Sequence, residues 1–213
     1  MDTKTGQLKL LNTVTSRGDG PCHLALDPSG LWLFVANYGG GSVAEYPVRD
    51  DGSLGEASAF VQHAGSSVNR QRQAGPHAHE TVLSPDGKSV FVPDLGLDRI
   101  LSYKIGGLAP NDPPFTKIAA GSGPRHLAFT PNGKFAYVMT EMTASVVAFR
   151  YAGGKFEELQ TLPTAELAAN ISGAEIAVHP NGKFVYSSTR GANTIAVFAI
   201  DAAKGTQIGR AHV

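Results

Sequence analysis

The chain repeats itself four times. Anchored on Pro28, Pro85, Pro131 and Pro180, four segments align without gaps. Two residues after each proline stands a glycine (Gly30, Gly87, Gly133, Gly182), and six after it an aromatic residue (Phe34, Phe91, Tyr137, Tyr186). At fifteen the residue is β-branched, as Val43, Ile100, Val146 and Ile195, and at eighteen it is aromatic again, as Tyr46, Tyr103, Phe149 and Phe198. A period of this length means a unit that cannot bury its apolar face alone and does so by stacking on its neighbours.

Each column has a physical reading. Pro28-Ser29-Gly30, Pro85-Asp86-Gly87, Pro131-Asn132-Gly133 and Pro180-Asn181-Gly182 couple a fixed φ to a residue that tolerates positive φ, which is the chemistry of a tight turn. Short apolar runs flank each turn, such as His126 to Thr130 before it and Lys134 to Met139 after it. A third run carries the fifteenth and eighteenth positions, whose β-branched and aromatic types suit a pleated surface. A fourth, less regular run precedes each unit: Leu8 to Val14, Ser58 to Gln62, Phe115 to Ala119 and Glu157 to Leu162. The prolines lie 57, 46 and 49 residues apart, near the period of propeller blades, and no 3.6-residue apolar rhythm accompanies them. The expectation is an all-β chain of about four consecutive four-stranded antiparallel β-propeller blades over residues 1–207, with the first aromatic column buried between adjacent sheets. Four blades of this width make an open arc of a larger ring, and an arc by itself is expected to have little or no activity. Residues 208–213 break the repeat and read as a non-native tail.

Composition narrows the function. Eighteen basic residues balance eighteen acidic ones, which removes the electrostatic footprint of a nucleic-acid binder or a polybasic membrane-surface protein. Charged residues are 17% of the chain against a usual share of about 25%, while 42% is hydrophobic, enough to build a core. Cys22 is the one cysteine, so no internal disulfide framework and no Cys-rich zinc site is possible. No apolar run reaches the roughly 18 residues of a membrane span, and residues 1–12 lack a signal-peptide pattern. A small-molecule partner and a cytoplasmic location are expected, although a longer parent could carry a leader.

Positions that break the repeat are where chemistry is expected. Six residues before the proline the copies read Cys22, His79, Arg125 and Ala174; ten after it they read Tyr38, Leu95, Glu141 and Arg190. In a propeller these two positions share one mouth of the central channel. His79, Arg125, Glu141 and Arg190, with neighbouring His77, therefore converge there. A carboxylate or imidazole activates water, and arginines hold an anion or a developing oxyanion. The plainer alternative is a salt bridge between Arg190 and Glu141 across neighbouring blades. The extra residues of the longest spacing, 63–74, land on the same face and bring Asn69, Arg70, Gln71 and Arg72, which suit a phosphate or carboxylate; a solvated loop is the alternative. His77 and His79 face one way but lack a third ligand, so neither a metal nor a cofactor is implied. His23 and His126 share a column with Glu80 and Glu175, which points to bonding of nearby backbone, and His63 and His179 read as surface or strand-edge residues.

Four motifs, Asn37-Tyr38-Gly39-Gly40-Gly41-Ser42, Gly75-Pro76-His77-Ala78-His79, Gly123-Pro124-Arg125-His126 and Thr189-Arg190-Gly191, give the chain its resemblance to a known family. From Gly6 to about Asp201 it resembles the seven-bladed lactonase propellers, which include 6-phosphogluconolactonases and carboxymuconate lactonizing enzymes. The resemblance implies hydrolysis of an anionic lactone of the sugar type, with His77, Arg125, Glu141 and Arg190 as catalytic residues. His79, Arg70, Arg72, Asn37 and Tyr38 are the candidate substrate contacts. The alternatives are a lactonizing enzyme and a non-catalytic binding platform. The start of the fourth unit, Ser172-Gly173-Ala174-Glu175, departs from the Gly-Pro-x-His pattern.

Overall fold

The computed structural model describes residues 4–166 and 168–212. Four separate four-stranded sheets follow one another along the chain, each antiparallel throughout. The first holds β1 (Pro21–Leu26), β2 (Trp32–Asn37), β3 (Ser42–Pro47) and β4 (Ala59–Gln62). β5 (Val82–Leu83), β6 (Ser89–Asp94), β7 (Arg99–Lys104) and β8 (Pro110–Lys117) form the second. The third is β9 (Pro124–Phe129), β10 (Phe135–Thr140), β11 (Ser145–Ala152) and β12 (Lys155–Pro163). β13 (Ser172–Val178), β14 (Phe184–Arg190), β15 (Thr194–Ile200) and β16 (Gln207–His212) complete the fourth. The described residues contain no helix.

The proline-glycine tripeptides join the first and second strands of every sheet, with Gly30, Gly87, Gly133 and Gly182 all at φ between 67° and 73°. The residue before each proline closes its turn: Asp27 accepts from the Trp32 amide at 2.7 Å, Ser84 from Ser89 at 2.9 Å, Thr130 from Phe135 at 3.1 Å and His179 from Asn181 at 3.1 Å. A carboxylate, two hydroxyls and an imidazole serve here, because the turn needs only an acceptor at that place.

Cross-strand partners share a face of the sheet, and the columns divide accordingly. The first aromatic and the β-branched columns look toward the next sheet, so Phe34 and Val43 pack with Val90 and Val92, and Tyr137 and Val146 with Val185 and Phe198. The second aromatic column looks back: Phe149 joins Phe91 between the second and third sheets. Polar stitches reinforce this. Buried Glu45 of β3 accepts from the Gly106 and Gly107 amides of the second sheet, and Glu80 from Leu127 of the third at 2.6 Å.

Two expectations are corrected. Residues 8–14 form no strand. The outer strand of each sheet is the one that follows its third strand in sequence, so 8–14 have no third strand to pair with; they lie beside the first sheet, where the Tyr46 hydroxyl donates to Thr15 and Asn12 bonds Leu54. Tyr186 is also not buried between sheets, unlike Phe34, Phe91 and Tyr137, because it lies on the face of the fourth sheet turned away from the third.

Candidate active site

The starts of the first strands and the loops between second and third strands meet at the end of the molecule opposite the proline turns, as the antiparallel registers require. At this mouth Glu141 follows β10 and is nearly buried. Three guanidinium groups surround it. Arg72 Nη2 lies 2.6 Å from Oε1, Arg190 Nη2 2.9 Å from Oε2, and Arg125 Nε 3.3 Å from Oε2. The Arg72 contact is an aligned hydrogen bond; the other two are ion pairs, and Arg125 Nε is a buried donor without a bonded partner. Burial on its own would raise the Glu141 carboxyl, but the hydrogen bond from Arg72 and the charges of Arg190 and Arg72 outweigh it and hold the group below the usual carboxylate range. The cluster carries a net charge of about +2, from three guanidinium groups and one carboxylate. The expected salt bridge and the expected cluster are thus the same arrangement.

The surrounding sheets fix the arginines. Arg125 donates through Nη1 to the Ala174 carbonyl at 2.7 Å, and Arg190 through Nη2 to Gly173 at 2.8 Å, so both lean on the β13 entry where the Gly-Pro-x-His pattern lapses. Arg72 comes from the 63–74 loop and crosses from the junction of the first two sheets to the third. Asn69 Oδ1 caps the loop by accepting from Gln71 and Arg72, and fully buried Gln73 ties it down through the Leu95 carbonyl at 2.8 Å. Arg70, the other loop arginine, is exposed and joins no ion pair with the cluster.

His77 is held from three sides. Its ring stacks on Tyr38 at 4.7 Å, and Nδ1 lies 3.0 Å from the Tyr38 carbonyl oxygen. A carbonyl oxygen only accepts, so Nδ1 carries a hydrogen, and in the neutral ring Nε2 is the nitrogen with the lone pair. The His77 amide donates to Asp94 Oδ1 at 2.8 Å, and its carbonyl accepts from Leu95 at 3.0 Å. Two glycines permit this crowding: a Cβ on Gly41 would lie 2.4 Å from the Pro76 carbonyl oxygen, and one on Gly96 1.9 Å from that of Gly75. Tyr38 links histidine and cluster, since its hydroxyl accepts from Arg72 Nη2 at 3.2 Å.

Deeper in the channel His79 sits edge-on to Tyr38 and to His126, and its Nδ1 is buried without a partner. Burial first, then the charges of Arg125 and His126, push it down to about 4, so it is neutral near pH 7. The histidine and glutamate column bonds forward to the next sheet: the Thr81 amide donates to His23, and His126 Nδ1 lies 2.8 Å from Glu175. Glu80 is pushed well above the usual range by burial. Asn37 is not at the mouth surface. It is fully buried and donates to Ser16 and Ser42, so the shape of its loop, rather than substrate contact, is what it serves. His63 is likewise not a surface residue: it is buried, with Nδ1 2.6 Å from Asp94 Oδ2. Nothing in the repeat columns pointed to it, because it lies outside them.

A cavity of about 330 Å³ adjoins the cluster, lined by Asn69, Arg72, Glu141, Asn170 and Ser172 among others. A larger cleft of about 830 Å³ opens at the other end around Pro85, Lys88, Asn132 and Tyr151. It contains none of the irregular positions and is lined by turn residues, so it is a groove between neighbouring blades. Among the described residues no three His, Cys, Asp or Glu side chains are placed to hold a metal ion.

A family profile described as lactonase, 7-bladed beta-propeller, matches residues 1–211. The chain belongs to the seven-bladed lactonase family. A 6-phosphogluconolactonase of Bacillus subtilis is 36% identical to this lactonase-family chain over 164 residues, 76% of this chain and 47% of the relative. The chain thus spans about half the length of the curated relatives it matches. Among solved structures, a Bacteroides fragilis protein provisionally assigned as a 6-phosphogluconolactonase superposes with a TM-score of 0.92 at 38% identity, covering 99% of this chain and 62% of that one. A periplasmic gluconolactonase of Pseudomonas aeruginosa superposes with a TM-score of 0.86 at 36% identity over 92% of this chain and 58% of that one.

Proposed function

We propose that this mouth hydrolyses the lactone of an anionic sugar acid, with 6-phosphogluconolactone as the substrate. One observation carries the reading: a histidine whose Nε2 lone pair is fixed by its tautomer, beside a guanidinium cluster that its single carboxylate leaves positive. His77 Nε2 takes a proton from water as the water oxygen attacks the lactone carbonyl carbon. An arginine of the cluster holds the oxyanion of the tetrahedral intermediate. The ring C–O bond then breaks, and the leaving alkoxide takes the proton back from Nε2, giving the open-chain acid. Arg72, about half exposed near the end of its loop, is suited to the substrate's phosphate. Glu141, already ionised and saturated by arginines, is an organiser of the cluster rather than a base.

The test uses the 213-residue chain. Titration with 6-phosphogluconate, the product, is expected to shift the ring signals of Tyr38 and His77 saturably, and Arg72→Ala to weaken binding. Any hydrolysis of the lactone by this arc is expected to lie close to the spontaneous rate, and whatever excess is measured is expected to vanish in His77→Asn. Equal rates for the wild type and His77→Asn, with no ring-signal shift, would overturn the proposal.

A further inference from the structure

His63 and Asp94 lie outside the cluster, yet both bear on His77. Asp94 ends β6 and is fully buried; its Oδ1 accepts from the amides of His77, Gly96 and Leu97 at 2.8, 3.0 and 3.1 Å. That leaves Oδ2 for one donor, His63 Nδ1 at 2.6 Å, with both side chains wholly buried. The His63 amide donates to Gly41 at 3.0 Å, and Gly41 closes the loop that begins at Tyr38. Tyr38 in turn accepts from His77 Nδ1. The bonds close on themselves: His63 to Asp94, Asp94 to His77, His77 to Tyr38, then along the 38–41 loop back to His63. His63 is also the first residue of the loop that delivers Arg72.

From this circuit we infer that His63 is a positioning residue for His77, acting through Asp94; the inference rests on the proposed role of His77 as the base. The purely structural alternative is that His63 only fills space against Tyr103, whose ring lies 6.0 Å away. Geometry separates the two. Asn in place of His puts an amide N–H where Nδ1 stands, whereas Gln carries its N–H about as far out as Nε2, past Asp94. Space filling favours Gln, the closer match in length. Positioning favours Asn, which leaves a gap but keeps the bond.

The experiment compares His63→Asn with His63→Gln in the 213-residue chain by nitrogen-detected NMR of the imidazole rings. His77 is expected to keep its single Nδ1–H tautomer in His63→Asn and to become a tautomer mixture in His63→Gln, with the more perturbed variant also losing about tenfold to a hundredfold of any His77-dependent turnover, the scale of a misplaced catalytic group. Tm read beside the spectra shows whether stability follows the opposite order. An unchanged His77 tautomer in both variants, or a mixture in His63→Asn alone, would overturn the inference. The outcome is independent of the base assignment, which the turnover of His77→Asn decides: a tautomer that follows His63 in a chain whose His77 proves dispensable would leave the circuit standing and the proposed function fallen. Should His63→Gln fail to fold, His63→Ala with added imidazole replaces it, and recovery of the His77 tautomer with imidazole bound is the expected result; no recovery would count against it.

Discussion

In the proposed reaction Glu141 organises the site rather than reacting in it. Three arginines from three different parts of the chain find their common partner there. Glu141→Gln keeps the shape and removes the charge, so the charge-assisted bond from Arg72 becomes an ordinary one and the ion pair with Arg190 is lost. With both guanidinium groups about half exposed, the expected cost is roughly 1–3 kcal/mol in chemical denaturation. Binding of 6-phosphogluconate is expected to survive, since the mouth becomes more positive; a lost affinity would mean that Glu141 touches the ligand. His79 makes a separate prediction. Its folded value of about 4 lies below the ordinary 6.5, so between these the unfolded chain binds more protons at this site and the His79 contribution to stability falls as pH is lowered from about 6.5 to about 4, levelling off below, against the opposite contribution of the raised Glu80 carboxyl. His23, also depressed by burial, adds in the same direction as His79. Denaturation midpoints measured across this range should show a shallower slope in His79→Leu; an unchanged slope would place the protons elsewhere. Of these residues Glu141, Arg125, Arg190 and His79 were legible because they interrupt a repeat. His63 was not, since a buried histidine and a surface one look alike in a sequence without a register to place them.

At the scale of strands, the repeat columns were readable because every copy performs the same task with the same type of side chain. What they could not show is that the task depends on a neighbour. The column of Phe34, Phe91, Tyr137 and Tyr186 packs against the sheet ahead, and the fourth sheet has none ahead of it among the described residues. Phe91→Ala should therefore cost about 3–5 kcal/mol, whereas Tyr186→Ala should cost well below that range. Similar losses at both positions would mean that Tyr186 is covered in solution. The 63–74 loop was legible as an insertion at the mouth, but its reach was not. Loop conformation follows from local bonds such as those of Asn69 and Gln73, which carry no periodicity.

For the molecule as a whole, the two outward faces of the arc matter most. On the first sheet Leu24 and Leu26 are 62% and 53% exposed, and on the fourth Ile195 and Phe184 are 46% and 37% exposed. Apolar surface of this kind favours association. Sedimentation velocity of the 213-residue chain should show mass rising with concentration, and Leu24→Lys or Ile195→Lys should suppress it; a monomer at every concentration would show that the faces stay solvated. Between those faces the polar stitches run only from one sheet to the next: Glu45 to the second, Glu80 to the third, His126 to the fourth. An architecture bonded this way tolerates duplication, since an added unit brings its own donors and acceptors. Arg72 breaks that freedom, because it leaves the junction of the first and second sheets and lands on the third. Inserting or deleting a unit between them could preserve every stitch and still part Arg72 from Glu141, so this mouth requires the units that carry Arg72 and Glu141 to stay next to one another.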